Sequence, residues 1–224
     1  MKGTWTELPD SIHFWFGPSL IHASPSRVDD LHLNVLRLQL RFNRLDRGVR
    51  WLLARAPSFL RNWASIILPR WTLPPTVILK REEEGAEEAF DNELRMYKLL
   101  KPLQGTVVPK LYGMVNYKHT RALLLSDIGG LPLYSPKGPE LGEQEFHEKV
   151  GKALRALHSV GVDHDDVKLD NYHLVGDDIF VLDHELSSEF NPENSERFIR
   201  GSLKRLWYMY SAHQRTMRYD GLRV

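Results

Sequence analysis

The chain has 224 residues, a formal net charge of +1, 42% hydrophobic and 26% charged residues, and no cysteine. This composition is typical of one soluble globular domain or a compact two-lobed unit, and nothing global points to a nucleic-acid or anionic-membrane partner. The lack of cysteine excludes disulfides, thiolate metal sites and cysteine nucleophiles. Glu7 and Asp10 argue against a signal peptide, and three arginines within residues 51–71 argue against a membrane span. We therefore expect a cytoplasmic or nuclear protein.

Charge is unevenly distributed along the chain. Residues 31–70 hold eight arginines and one acid, Asp46, whereas residues 82–93 hold seven acids. Arginines interleaved with tryptophans could bind nucleic acid or an acidic partner. We favour the interpretation that these arginines lie on solvent-exposed faces or snorkel to solvent, and that some of them pair with the acidic segment. We do not expect a nucleic-acid partner.

In chain order, alternating apolar and charged residues predict a first strand over residues 36–42, and prolines leave residues 51–68 ambiguous. The β-branched run at residues 76–80 predicts a second strand. Further strands are predicted over residues 107–112, 122–125, 172–175 and 179–182, and helices over residues 87–100, 143–158 and 193–213.

The segment at residues 161–185 carries most of the chemical information. A predicted helix leads into Asp166, Lys168 and Asn171 come next, and the second strand of a predicted hairpin leads into Asp183. This ordered set resembles the catalytic core of the protein-kinase-like superfamily, over roughly residues 76–190.

The resemblance implies an α+β, two-lobed protein-kinase-like fold with a shortened C-lobe and an atypical N-terminal region. The implied segments are an Arg/Trp-rich region at residues 1–75, which could be part of the small lobe, an N-lobe at 76–129 and a C-lobe at 130–224.

The resemblance also implies roles for the residues of the segment. Asp166 would be the catalytic base and Lys168 an electrostatic helper, while Asn171 and Asp183 would bind Mg²⁺. Phosphoryl transfer suits such residues, because it requires positioning and neutralisation of phosphate charge more than covalent help.

Upstream residues match the nucleotide-binding part of the same superfamily. Lys80 ends a strand, and Glu93 lies in the next predicted helix, so the two would form the phosphate anchor. Ser126, Asp127 and Ile128 occupy the stretch whose backbone would hold the adenine of ATP.

Three features depart from the protein-kinase pattern. Residues 51–79 contain no glycine, so no glycine-rich loop precedes Lys80. Asp165 replaces the usual arginine, and Asp183-His184-Glu185 resembles the aminoglycoside phosphotransferase and choline kinase-like branch. Only residues 184–224 come after Asp183, as in minimal RIO and lipopolysaccharide kinases; a truncated product would look the same.

Structural alternatives remain open for these residues. Asp166, Asn171 and Asp183 could be turn residues, and Lys80 an edge-strand lysine that prevents aggregation. His164 would brace the loop, and Glu185 could contact a second Mg²⁺ or cap the next segment of chain.

We expect an ATP- and Mg²⁺-dependent phosphotransferase that acts on a hydroxyl, preferably of protein serine or threonine, with a small-molecule hydroxyl as the next choice. The alternative from another class is a pseudokinase, a binding or scaffold module that keeps the fold without turnover. A weaker alternative is a basic interaction domain built around residues 31–70. The sequence does not indicate an oligomeric state.

Overall fold

The computed structural model describes residues 8–29, 32–67, 69–138, 140–190, 193 and 195–222. Residues 1–7, among them the Glu7 that argues against a signal peptide, lie outside the described residues. The described chain is mixed α/β, compatible with a kinase-like fold, and none of its helices is long and apolar enough to cross a membrane.

The chain divides into two compact units. The first comprises residues 1–87 and 111–127, and the second comprises residues 88–110 and 128–224. The segments 1–75, 76–129 and 130–224 stay a prediction; in this division residues 88–110 fall in the same unit as the C-terminal part.

The first unit is built on a six-stranded antiparallel sheet in the order β1-β2-β3-β4-β6-β5. The strands are β1 (Ile12–Phe16), β2 (Ser19–Arg27), β3 (Val35–Leu40), β4 (Thr76–Arg81), β5 (Leu111–Tyr117) and β6 (Thr120–Ser126). Alternating residues such as Ile12 and Phe14 are buried while His13 and Trp15 face solvent, the period-two pattern of a sheet with one wet face. In β1 one face is therefore apolar and packs into the core of this unit, whereas in β6 the four consecutive residues 122–125 are all buried.

The N-terminal region supplies three of these six strands and two helices, α1 (Arg44–Arg55) and α2 (Ser58–Ile67). The prediction of a strand at residues 36–42 is confirmed by β3, whereas β1 and β2 were not predicted. Residues 118 and 119 join β5 to β6 with positive φ angles of 50° and 64°, the geometry of a two-residue hairpin turn.

The predicted strand at residues 107–112 is confirmed only for residues 111 and 112, and its predicted start is wrong. β5 begins only at Leu111, and Val108 is fully buried in the core of the second unit, where its N–H donates to the Leu103 carbonyl of a turn. The next residue is Pro109, which has no N–H for a strand ladder.

The second unit is mainly helical. Its helices are α3 (Glu87–Leu99), α4 (Glu143–Ser159) and α5 (Ser195–Tyr219), and its strands are β7 (Leu131–Pro132), β8 (Val162–Asp163), β9 (Tyr172–Val175), β10 (Asp178–Val181) and β11 (Ser188–Glu189). Strands β10, β9 and β7 form one small sheet, and β11 pairs with β8. Phe146, Leu154 and Leu206 are among the fully buried core residues that α4 and α5 contribute. The three predicted helices and the predicted hairpin are confirmed.

Gly130 occupies a position that only glycine fits. Its φ is +72°, and a Cβ placed there would lie 2.5 Å from the Leu174 carbonyl oxygen of β9. The Gly129-Gly130 pair therefore allows the chain to approach β9 closely before β7 joins the sheet.

Candidate active site

The loop after β8 brings three predicted site residues together. The Lys168 Nζ donates to the Asp166 Oδ2 at 2.9 Å, and the Asn171 Nδ2 donates to the same oxygen at 3.0 Å and to the Asp166 carbonyl at 3.1 Å. A short 3₁₀ turn, Leu169–Asn171, shapes the loop so that these side chains converge. One carboxylate is thus fixed by a cation and an amide.

The orientation of Asn171 determines which of its atoms could bind a metal. Because its nitrogen donates to Asp166, the Oδ1 is the atom suited to a cation. Asn171 is buried, whereas Lys168 is largely exposed. An amide oxygen is a hard ligand of the kind that Mg²⁺ prefers.

Hydrogen bonds connect this loop to the segment that carries Asp183. The His164 Nε2 lies 3.0 Å from the carbonyl oxygens of both Leu182 and Asp183, and the Leu182 N–H donates to the Asn171 carbonyl at 2.8 Å. His164 is 1% exposed. It therefore braces the loop, as expected, and holds the backbone of Asp183 next to the loop that carries Asp166.

Asp183 adopts an unusual backbone conformation at this point. Its φ is +57°, in the left-handed region that non-glycine residues seldom occupy. Strained conformations of this kind cluster at functional sites, where the surrounding contacts hold them. The hydrogen bonds from His164 and Leu182 are such contacts.

Asp183 is one of a cluster of three carboxylates. One oxygen each of Glu93, Asp183 and Glu185 lies within 4.8 Å of the other two, and Glu93 is buried. Carboxylate oxygens suit a divalent cation, so the donor set fits Mg²⁺ chemically. The proximity of Glu93 and Glu185 to Asp183 was not predicted. The sequence offered one indication of it, the alternative that Glu185 contacts a second Mg²⁺ and does not cap the next segment.

Helix α3 is tied directly to the segment after Asp183. The Asn92 Nδ2 donates to the carbonyl oxygens of Glu185 and Ser187, both at 2.8 Å, and Arg95 pairs with Glu189 at 2.5 Å. These contacts fix Glu93 on α3 relative to Asp183.

His184 comes directly after Asp183. It is fully buried, and its ring meets Tyr97 of α3 edge-on at 5.6 Å and His164 at 5.4 Å. Its Nδ1 lies 3.2 Å from the Ser187 hydroxyl. The His184 ring thus packs between Tyr97 of α3 and His164, which comes two residues before Asp166.

The site carries several negative charges that act on Lys168. Its hydrogen bond to Asp166 raises the pKa of Lys168, burial opposes this, and the charges of Asp166, Asp170 and Asp183 raise the pKa further. The ammonium group therefore stays protonated at neutral pH and can neutralise an anion. Burial together with the charges of Asp163 and Asp166 also raises the pKa of the Tyr172 phenol, which stays neutral.

The remaining predicted residues lie mainly in the first unit. Lys80 is buried in β4, which is hydrogen-bonded to β3 on one side and β6 on the other. The interpretation of Lys80 as an edge-strand lysine is therefore wrong. Ser126 ends β6, and the Asp127 carboxylate accepts a hydrogen bond from the Arg37 Nε at 2.8 Å. Ile128 begins the C-terminal part of the second unit. The predicted roles of all four in nucleotide binding stay predictions.

The arrangement has the features of the protein-kinase-like superfamily. A loop with the pattern Asp-x-Lys-x-x-Asn is hydrogen-bonded to the segment after the β9–β10 hairpin, which carries Asp183. The sequence model of the phosphotransferase enzyme family, a member of that superfamily, matches residues 69–173. The resemblance seen in the sequence is thereby confirmed, and the chain is similar to phosphotransferases of the kinase-like type. The matched range contains Lys80, Asp166 and Asn171 and ends before Asp183. No curated protein matches the chain significantly.

Proposed function

We propose that this chain is an ATP- and Mg²⁺-dependent phosphotransferase that transfers the γ-phosphoryl group of ATP to a hydroxyl. The observation that carries the proposal is the Asp166 carboxylate fixed by Lys168 and Asn171 in a loop bonded to Asp183. An ordinary surface turn does not require a buried amide, a buried histidine and a left-handed aspartate at one place. Phosphoryl transfer requires such positioned groups.

Asn171 and Asp183 would hold Mg²⁺, and Glu93 and Glu185 are the nearest further carboxylates. When bound, the ion supplies neutralisation of the charge on the nucleotide phosphates. The left-handed backbone at Asp183 and the fixed amide of Asn171 keep both ligands preorganised. Preorganised ligands reduce the entropy lost when the ion and nucleotide bind.

Asp166 would act as the general base. Its carboxylate takes the proton of the acceptor hydroxyl while that oxygen forms a bond to the γ-phosphorus and the bond from phosphorus to the leaving oxygen of ADP breaks. Lys168 stays protonated and neutralises charge on the transferring group. A positioned base of this kind contributes about 10²- to 10⁴-fold to the rate.

Lys80 and Glu93 would form the phosphate anchor, and residues 126–128 would hold the adenine. Because Arg37 engages the Asp127 carboxylate, adenine contacts in this stretch would come from its backbone groups. The sequence just before Lys80 contains no glycine-rich loop. The sheet begins instead with the hairpin of β1 and β2, whose turn contains Gly17.

The acceptor we favour is a small-molecule hydroxyl, ahead of the protein serine or threonine preferred from the sequence. Residues 184–194 alone connect Asp183 to α5, and within them β11 pairs with β8 while Asn92 binds the carbonyls of Glu185 and Ser187. Within residues 184–190, which the structure describes, these hydrogen bonds leave little backbone for an extended peptide to pair with.

The first test is thermal unfolding with ATP, with and without Mg²⁺, for the wild type and Asp183→Asn. At a hundredfold excess over its dissociation constant, a ligand stabilises the native state by about 2.7 kcal/mol. For a chain of this size that corresponds to a rise in melting temperature of roughly 5–10 °C. We expect a magnesium-dependent rise that Asp183→Asn removes and that the matched control Asp177→Asn, in the exposed β9–β10 turn, keeps.

The second test measures ADP release with a panel of sugars, amino alcohols and aminoglycosides, and with a generic protein acceptor. Asp166→Asn should remove turnover and leave the ATP-induced rise in melting temperature nearly unchanged. Full activity of Asp166→Asn would refute the assignment of the base. A nucleotide-dependent rise without turnover on any acceptor would favour the pseudokinase, and no rise under any condition would refute the proposed nucleotide site.

A further inference from the structure

The connection between β3 and β4 is far longer than the sheet requires. These neighbouring strands are antiparallel, with Gln39 opposite Thr76 and the Leu40 N–H donating to the Pro75 carbonyl at 2.8 Å. A tight turn of two to five residues could join them. The chain instead inserts α1 and α2, which points to a function for the insertion.

Polar contacts join α1 to the segment that comes after α2, and Arg70 of that segment donates to the Leu20 carbonyl of β2 at 3.1 Å. Asp46 is buried in α1, accepts hydrogen bonds from Arg70 at 2.6 Å and from the Trp71 Nε1 at 3.0 Å, and forms a capping box with Asn43. Arg50 donates to the carbonyls of Trp71 and Leu73. The inner side of α1 therefore carries the charged residues Asp46 and Arg50, whereas the inner side of a usual amphipathic helix is apolar.

Large apolar side chains of both helices face solvent as a result. On α2, Phe59, Leu60, Trp63 and Ile67 fall within one 100° stripe and are all exposed, Phe59 by 67% and Trp63 by 61%. On α1, Leu45, Trp51 and Leu52 are exposed, Leu45 by 81%. We call these seven residues the apolar face. Exposed apolar groups in such number mark an interaction surface.

The exposed charges beside the apolar face are positive. Arg44, Arg47 and Arg55 are exposed on α1, and the Arg55 guanidinium stacks on the Trp51 ring at 3.8 Å. The acid of α1, Asp46, is buried and already paired with Arg70. The surface therefore combines cationic, aromatic and aliphatic groups.

From this combination we infer that α1 and α2 bind the surface of an anionic lipid bilayer. Short helices with leucine, phenylalanine and tryptophan on one side and arginine beside them lie in the headgroup region, with the apolar side chains at the acyl boundary. Helices of 12 and 10 residues are too short to span. The insertion would therefore hold the protein on the membrane surface.

Two other occupants fit the surface less well. A second copy of the same face would oppose arginines with arginines, with no exposed acid of α1 to pair with them. A nucleic acid would use the arginines and aromatic rings, but it offers nothing to the aliphatic residues Leu45, Leu52, Leu60 and Ile67. A bilayer with anionic headgroups accommodates all three kinds of group.

Vesicle flotation of the full chain tests the inference. We expect binding to phosphatidylcholine vesicles that contain 30% phosphatidylglycerol and little binding to phosphatidylcholine alone. Arg44→Gln with Arg47→Gln should weaken binding roughly 30-fold, since each basic residue near an anionic surface contributes about fivefold. Phe59→Ser with Trp63→Ser should weaken it at least as much.

The control is Trp15→Ser, which removes an exposed tryptophan of the same unit outside the insertion. It should bind vesicles like the wild type, and all variants should keep the wild-type melting temperature because the altered side chains are exposed. Absence of vesicle binding, or binding that both double variants retain, would overturn the inference. It would also be overturned if Phe59→Ser with Trp63→Ser dissolved a dimer, or if the chain bound single-stranded RNA and ignored the vesicles.

Discussion

Replacement of His164 by phenylalanine separates the hydrogen bonds of this side chain from its volume. The Nε2 serves the carbonyls of Leu182 and Asp183 at 3.0 Å each in a fully buried position. Phenylalanine keeps a ring that can pack against Tyr172 and His184, but it leaves both buried carbonyls without this donor. Each such loss costs about 1–3 kcal/mol.

We therefore expect His164→Phe to lower the free energy of unfolding by about 2–6 kcal/mol, which lowers the melting temperature by roughly 4–24 °C. The larger effect should be on function, because the left-handed backbone of Asp183 loses a contact that holds it. The magnesium-dependent rise in melting temperature with ATP should disappear, while any rise caused by ATP alone should persist.

The matched control is His147→Phe on α4, whose ring contacts Phe146 and Trp207. It should leave the melting temperature within about 2 °C of the wild type, as partly exposed substitutions do. The reasoning is refuted if His164→Phe loses less than about 1 kcal/mol, or if it keeps the full magnesium-dependent rise.

Three further outcomes are expected from stability measurements. Gly130→Ala should lower the free energy of unfolding in urea by about 3 kcal/mol, because its Cβ would lie 2.5 Å from a strand carbonyl oxygen. Gly129→Ala, where φ is positive but the space is open, should lower it by about 1 kcal/mol. Equal losses would contradict the steric argument. Burial would raise the pKa of Asp46, but its hydrogen bonds and its pairing with arginine hold the pKa below 3.8. Its contribution is therefore complete above the unfolded-state pKa of about 3.9 and is lost as pH falls further, so Asp46→Asn should be less stable than wild type at pH 7 and approach it below about pH 4. Tyr210→Phe removes the acceptor for the buried Leu141 N–H at 2.9 Å and should cost about 1–2 kcal/mol by thermal unfolding; no loss would show that this N–H finds another partner.

The parts of the fold that could be predicted from the sequence have regular periodicity. Helix α4 places Phe146, Val150, Leu154 and Leu157 on one stripe, and all are buried, so the 3.6-residue period alone locates it. The hairpin of β9 and β10 has a two-residue turn that starts with Gly176 at φ +61°.

The elements that were missed have patterns that compete with one another. Strand β1 alternates buried Ile12 and Phe14 with exposed His13 and Trp15, but Trp15 is itself apolar and hides the alternation. The ambiguity at residues 51–68 has a related cause. The insertion anchors itself through charged Asp46 and exposes its aromatic residues, so hydrophobicity does not reveal which side is buried.

The candidate site also has one part that could be predicted from the sequence and one part that could not. The loop residues Asp166, Lys168 and Asn171 are close in sequence, so their spacing alone predicts that they converge. The approach of Glu93 to Asp183 and Glu185 depends on where α3 packs, and sequence spacing does not contain that information.

The attachment of α3 has a consequence for control of the activity. In protein kinases, switching commonly depends on the position of the corresponding helix relative to the catalytic machinery. Here Asn92 and Arg95 bind the chain just after Asp183, so a displacement of α3 carries that segment with it. An effector that displaced the helix would displace the aspartate segment as well, so in the proposed phosphotransferase the two would move as one element.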